Sequence, residues 1–136
     1  MSNQSYKKDL IQYRLGCARD VLHDAHVLRE NGGSPASIVN RAYYSVFYAA
    51  LALLVTVNVE PTKHAGVLAK FDEFFIREEI FPKEMSKIIH HAFDMRQAGD
   101  YQKSKVITEE QAFEVLNSAE EFVKNIEEKL SQADNS

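Results

Sequence analysis

An all-α, up-and-down bundle of four long helices and one shorter helix is the fold class this sequence predicts. Three observations carry the prediction. Apolar residues recur at three- and four-residue steps along most of the chain, and no segment alternates as a half-buried strand would. Glycine and proline are scarce, 5 and 3 of 136 residues, which favours long regular elements over many turns. Several of them stand where helices should begin or end.

Helix 1 is expected over about 6–31, with Leu10, Tyr13, Cys17, Val21, Ala25 and Leu28 as its apolar stripe. Asn31-Gly32-Gly33 stops it, because glycine takes the left-handed cap without penalty. Helix 2 opens at Ser34-Pro35: serine caps free amides and proline suits the first turn. It runs to about 57, and from 42 onward only Ser45 and Thr56 are neither apolar nor aromatic. Such a helix must be covered on most sides, by the other helices or also by a second subunit. Helix 3 is expected over 65–79, with Val67, Leu68, Phe71, Phe74 and Phe75 as its apolar set. Helix 4 should run from Pro82 to about 98 and stop at Gly99, leaving 99–107 as a loop. Helix 5 opens on a capping box of Thr108 and Gln111, and Phe113, Leu116, Ala119, Ile126 and Leu130 lie on its stripe. Residues 1–5 and 132–136 are expected to be disordered or frayed, which leaves one domain over 6–131.

A net charge of −4 does not fit a globally basic nucleic-acid binder, although 16 Lys and Arg can still form a local basic cleft. The lone Cys17 cannot close an internal disulfide, which suits a reducing, cytoplasmic setting. No signal peptide is expected from the polar opening residues. The apolar run at 42–57 is shorter than the ~20 residues that span a bilayer, so it reads as a core helix and no membrane is expected.

Catalytic signatures are thin. No glutamate has a histidine three residues on, and the adjacent His90 and His91 point about 100° apart on a helix, so no metal or other cofactor is expected. Phosphate loops and nucleophile elbows are missing, and Cys17 with His23 or His26 lacks an orienting acid. Three polar clusters remain. Arg41 and Tyr44 enter the most apolar helix; there a guanidinium must be paired, with Asp20 or Asp24 for instance, or must grip a phosphate or carboxylate. Lys63 and His64 precede helix 3, where free amides favour an anion or where they are simply solvated. Arg96, Asp100 and Tyr101 close helix 4; Asp100 can turn back on Arg96, and Tyr101 can lay its ring on the bundle.

The order of these clusters resembles the HEPN superfamily, in its small stand-alone prokaryotic branch. The matching pieces are RAYYSVFYAALALL at 41–54, KHAGVLAKF at 63–71 and RQAGDY at 96–101. The resemblance implies a helical bundle that pairs as a homodimer around a polar cleft. It implies a nucleotide- or RNA-binding module that partners a nucleotidyltransferase, in some cases within a toxin–antitoxin or defence locus. Other members are metal-independent ribonucleases with a histidine a few residues after the late-helix arginine. Here Tyr101, Gln102 and Lys103 fill that window, and no histidine follows His91. Cleavage without metal needs a proton carrier near neutral pH, so the expectation leans away from an enzyme. An RNase with an altered site would use Arg96 and His64, if the fold joins them. A structural dimerising bundle is the remaining alternative. Arg41, Tyr44, Lys63, His64, Arg96, Asp100 and Tyr101 are the expected nucleotide- or anion-binding residues.

Overall fold

The computed structural model describes residues 3–101 and 106–134. The chain forms α1 (Asn3–Glu30), α2 (Pro35–Val55), α3 (His64–Phe71), α4 (Lys83–Tyr101) and α5 (Glu109–Asp134). Among the described residues there is no strand. Four long helices and one short one make the all-α bundle expected from the sequence.

α2 is its central rod. Ser34 caps it by accepting a hydrogen bond from the Ser37 N–H at 3.2 Å, and Pro35 occupies the first turn. The helix packs against each of the other four. Ala42, Tyr43, Val46, Ala49, Ala50 and Leu54 are fully buried. By length and composition α2 could cross a membrane, yet two-thirds of its apolar window is covered by the fold itself. The phenylalanine surplus is absorbed in the same way: Phe71, Phe75, Phe81 and Phe122 form one cluster of rings.

α1 keeps the last part of its expected stripe, with Ala25 buried and Leu28 packed on the core, but turns a different line inward before it. Leu15, Ala18 and Ala25 are buried, with Ile11 and Leu22 packed beside them. This line is wholly apolar, and its two alanines let α2 approach closely. The competing stripe holds polar-tipped Tyr13, which is 70% exposed, and a half-buried Cys17. α1 stops as expected: Gly32 has φ +75°, and the Gly33 N–H donates to the Leu28 carbonyl at 2.7 Å.

Two helix ends depart from the sequence reading. The helix opened by α3 does not stay α-helical to 79. At Asp72–Ile76 it widens into a π-turn, closed by the Arg77 N–H on the Asp72 carbonyl at 2.8 Å. α4 does not stop at Gly99 but continues to Tyr101. A Cβ on Gly99 would stand 2.8 Å from Ile107 Cδ1, so this glycine serves close packing and not termination. α5 begins with the expected capping box: the Gln111 N–H donates to Thr108 Oγ1 at 3.1 Å and the Thr108 N–H to Gln111 Oε1 at 3.0 Å. Phe113 packs at the edge of the core, half-buried, and lies under the Arg29 guanidinium at 4.3 Å.

Candidate functional site: an aromatic shelf under two arginines

A tyrosine fully buried in an apolar helix must find a partner for its hydroxyl. Tyr43 finds it in His64, the first residue of α3, with 2.6 Å between the hydroxyl and Nδ1. The imidazole is clamped by rings. It stacks on Phe47 at 4.4 Å and on Tyr43 at 5.7 Å, and Tyr44 meets it edge-on at 5.9 Å. Burial lowers the His64 pKa, and the neighbouring Arg96 charge lowers it further, so the ring is neutral at pH 7. Burial drives the Tyr43 phenol well above its ordinary range, against a smaller opposing pull from Arg96. The phenol therefore keeps its proton.

Arg96 comes from α4 and covers the shelf. Its guanidinium carbon lies 5.5 Å from the Tyr43 ring centre and 5.3 Å from that of Tyr44. Its Nε is 3.2 Å from Asp100 Oδ2, one turn on, but off the line of a hydrogen bond. That Nε is buried and has no hydrogen-bond partner among the described residues, and the Arg96 side chain as a whole is 14% exposed. Arg41 approaches the same Tyr44 ring at 5.8 Å. It is held by its neighbour: Nε and a terminal nitrogen both donate to Asn40 Oδ1, at 3.2 and 2.8 Å. Arg41 and Asp100 also line a cavity of about 390 Å³, together with Ala36, Ser37 and Asn40.

The fold thus gathers Arg41, Tyr44, His64, Arg96 and Asp100 from three helices. Arg41 forms no ion pair with Asp20 or Asp24, because it lies over Tyr44 and is hydrogen-bonded to Asn40 instead. Asp100 turns back on Arg96 as expected. Lys63 does not join them: it is an exposed N-cap residue whose side chain makes no capping bond. The Tyr101 side chain and residues 102–105 lie outside the described part of the chain, and with them the proposed ring contact of Tyr101. Tyr43 and Phe47 were missed as site residues. Their signal was present: an aromatic run on a buried helix includes hydroxyls that need partners. Among the described residues no three His, Cys, Asp or Glu side chains converge as a metal site would require.

Chemically, the shelf offers two cations around one half-buried aromatic ring, Tyr44, and a single nearby carboxylate. Such a surface favours an anion, with an aromatic ring available for stacking. A neutral imidazole stands beside it, and RNA chemistry without metal uses such a group.

A helical bundle with polar residues of this order on its central rod defines a class, and comparison with known proteins agrees. The HEPN domain family profile matches residues 11–129, and the chain belongs to that family. Among similar proteins, one named "Putative toxin" from Methanocaldococcus jannaschii is 36% identical over 125 residues, 92% of each chain. A UPF0332 protein from Thermotoga maritima is 36% identical over 121 residues, covering 89% of this chain and 91% of its own. A second M. jannaschii protein named "Putative toxin" is 38% identical over 85 residues, 62% of this chain and 58% of its own.

Proposed function

We propose that this HEPN protein is a non-catalytic module that holds the phosphate of a nucleotide or of RNA. It acts as a cytoplasmic homodimer and as the accessory partner of a nucleotidyltransferase, in a toxin–antitoxin or defence pair. One observation carries the reading: Arg41 and Arg96 flank the same Tyr44 ring, and the buried Nε of Arg96 has no hydrogen-bond partner among the described residues. Two guanidinium groups beside one carboxylate leave a local positive charge that an anion would neutralise. The toxin pairing is supported by two relatives whose names contain that word. For the homodimer, the supporting surface is on α1, where Tyr6 and Tyr13 are 62% and 70% exposed.

The test is a binding measurement. Nucleotide or short RNA should raise the melting temperature of the wild type; a ligand at 100 times its Kd adds about 2.7 kcal/mol. Arg96→Ala should abolish the shift. An unchanged shift in that variant would contradict the reading.

A second reading, RNA cleavage without metal, is favoured by a specific observation. The histidine absent after Arg96 has a spatial counterpart in His64, which feels the Arg96 charge and shares its aromatic shelf. RNA incubated with the protein and a chelator should stay intact under the first reading. Cleavage lost in both His64→Ala and Arg96→Ala would favour the second.

A further inference from the structure

The cavity of about 390 Å³ beside Arg41 is far larger than a phosphate needs. Its size falls among sites that hold small organic ligands, about 300–1,000 Å³. Leu28 and Ala36 form its apolar wall, and Ser37, Asn40, Arg41 and Asp100 form its polar one. Ser37, Asn40, Arg41 and Tyr44 stand at steps of three and four along α2, so the cavity and the Tyr44 ring share one face of that helix. The end of α4 closes on this face because Gly99 lacks a side chain: a Cβ there would stand 3.5 Å from Ala36 Cβ. Asp100 follows at once. Arg41 belongs to both places, since it lines the cavity and lies 5.8 Å from the Tyr44 ring centre. Asp100 ties them from the other side, 3.2 Å from Arg96 Nε. Arg41 and Asp100 give the cavity wall one charge of each sign, which suits a neutral group better than an anion.

The hydrogen-bonding character of the wall follows from these pairings. Asn40 Oδ1 accepts both bonds from Arg41. A guanidinium has only donors to offer, so the Asn40 amide must turn its Nδ2 donor away from Arg41. Asp100 stands beside Arg96 Nε without accepting a hydrogen bond from it, because that nitrogen has no partner among the described residues. The carboxylate therefore keeps those lone pairs for another donor. An apolar wall, an amide donor and a carboxylate acceptor match a nucleobase, which is flat and apolar on its faces and polar at its edge. Guanine fits this set best. Its N1–H and N2–H donors lie side by side for a carboxylate, with the O6 acceptor next to them for an amide. Adenine sets its N6–H beside the N1 lone pair, which a carboxylate repels.

We propose that this cavity is the base subsite of the nucleotide whose phosphate lies on the shelf, and that Asp100 selects guanine. The proposal rests on the reading of the shelf as a phosphate site. Arg41, common to both parts, marks where the ribose passes.

The experiment is titration calorimetry with guanosine monophosphate, adenosine monophosphate and ribose 5-phosphate. Wild type is compared with Asp100→Asn, Ser37→Met and Arg96→Ala. The wild type should bind the guanine nucleotide about tenfold more tightly than either other ligand, at the low end of what a bidentate base contact discriminates. Asp100→Asn should bring the guanine nucleotide down to the level of the adenine one. The same change removes a negative charge, so ribose 5-phosphate should bind no more weakly than before. Ser37 is exposed, and a longer side chain there narrows the cavity while leaving the bundle folded. Ser37→Met should weaken both nucleotides more than ribose 5-phosphate. Arg96→Ala should weaken all three ligands. Equal wild-type affinities, with Arg96→Ala still damaging, would overturn the base subsite and leave the shelf standing. Equal tightening of all three ligands in Asp100→Asn would make that residue a counter-charge only and overturn the proposal. A guanine preference lost in Asp100→Asn, with Arg96→Ala silent, would sustain the cavity and sink the shelf.

Discussion

His64 ties stability to pH through one side chain. Its folded pKa lies below the ordinary value because of burial and the Arg96 charge. In the window between those two values the unfolded chain binds the proton and the folded chain does not, so stability rises with pH. The contribution is complete above the ordinary histidine pKa, near 6.5, and is lost as pH falls from there to the folded value. Urea titrations at pH 7.5 and pH 5 should show a larger loss in the wild type than in His64→Gln; equal losses would contradict this assignment. Tyr43→Phe removes the bonded hydroxyl and leaves Nδ1 of His64 unpartnered, at a cost of about 1 kcal/mol in the same assay. Much of this site was legible in the residue types: an arginine and tyrosines on an apolar helix cannot go unpaired. Which partner each would choose was not legible. Arg41 had acids within reach by sequence, yet Asn40 next door and the Tyr44 face hold it. His64 meets Tyr43 only because the loop after α2 folds α3 back onto that helix, a contact 21 residues apart in the chain.

Among the elements, the caps were the features easiest to read. Gly32→Ala forces a Cβ into the left-handed region and should cost about 1 kcal/mol. Thr108→Ala removes the Oγ1 that accepts from the Gln111 N–H at the start of α5 and should cost a similar ~1 kcal/mol. Denaturant midpoints check both, and a neutral result at either would mean the cap contributes little. These ends were legible because capping is local chemistry. The end of α4 was not. Gly99 has the composition of a stop, but Ile107 and Ala36 pack against the position where a Cβ would be, and a long-range contact decided what a local rule could not. The π-turn was hidden for a related reason. Asp72 and Phe75 fit the α-helical period well enough. Widening the turn accompanies both the burial of Phe75 against Phe71 and the tie from Asp72 to Ser86 and His90, and α4 supplies those last two partners.

At the scale of the whole molecule, the bundle followed from periodicity because burying the α2 rod leaves few alternatives. Leu54→Ala, in the fully buried rod, should cost about 2–5 kcal/mol by chemical denaturation. The apolar excess that suggested a second subunit is mostly absorbed within the protomer, so the case for a homodimer shifts to the exposed tyrosines of α1. Tyr13→Glu should then reduce dimerisation in sedimentation velocity and leave the helical signal unchanged; a wild type that sediments as a monomer would contradict the dimer. The central claim is that residues far apart in sequence form one anion site around Tyr44. A double-mutant cycle of Arg41→Ala and Arg96→Ala, read as RNA affinity, tests it most directly. Shared contact with one ligand should give a coupling of about 1 kcal/mol or more. Strictly additive effects, or no effect from either variant, would contradict the shared site.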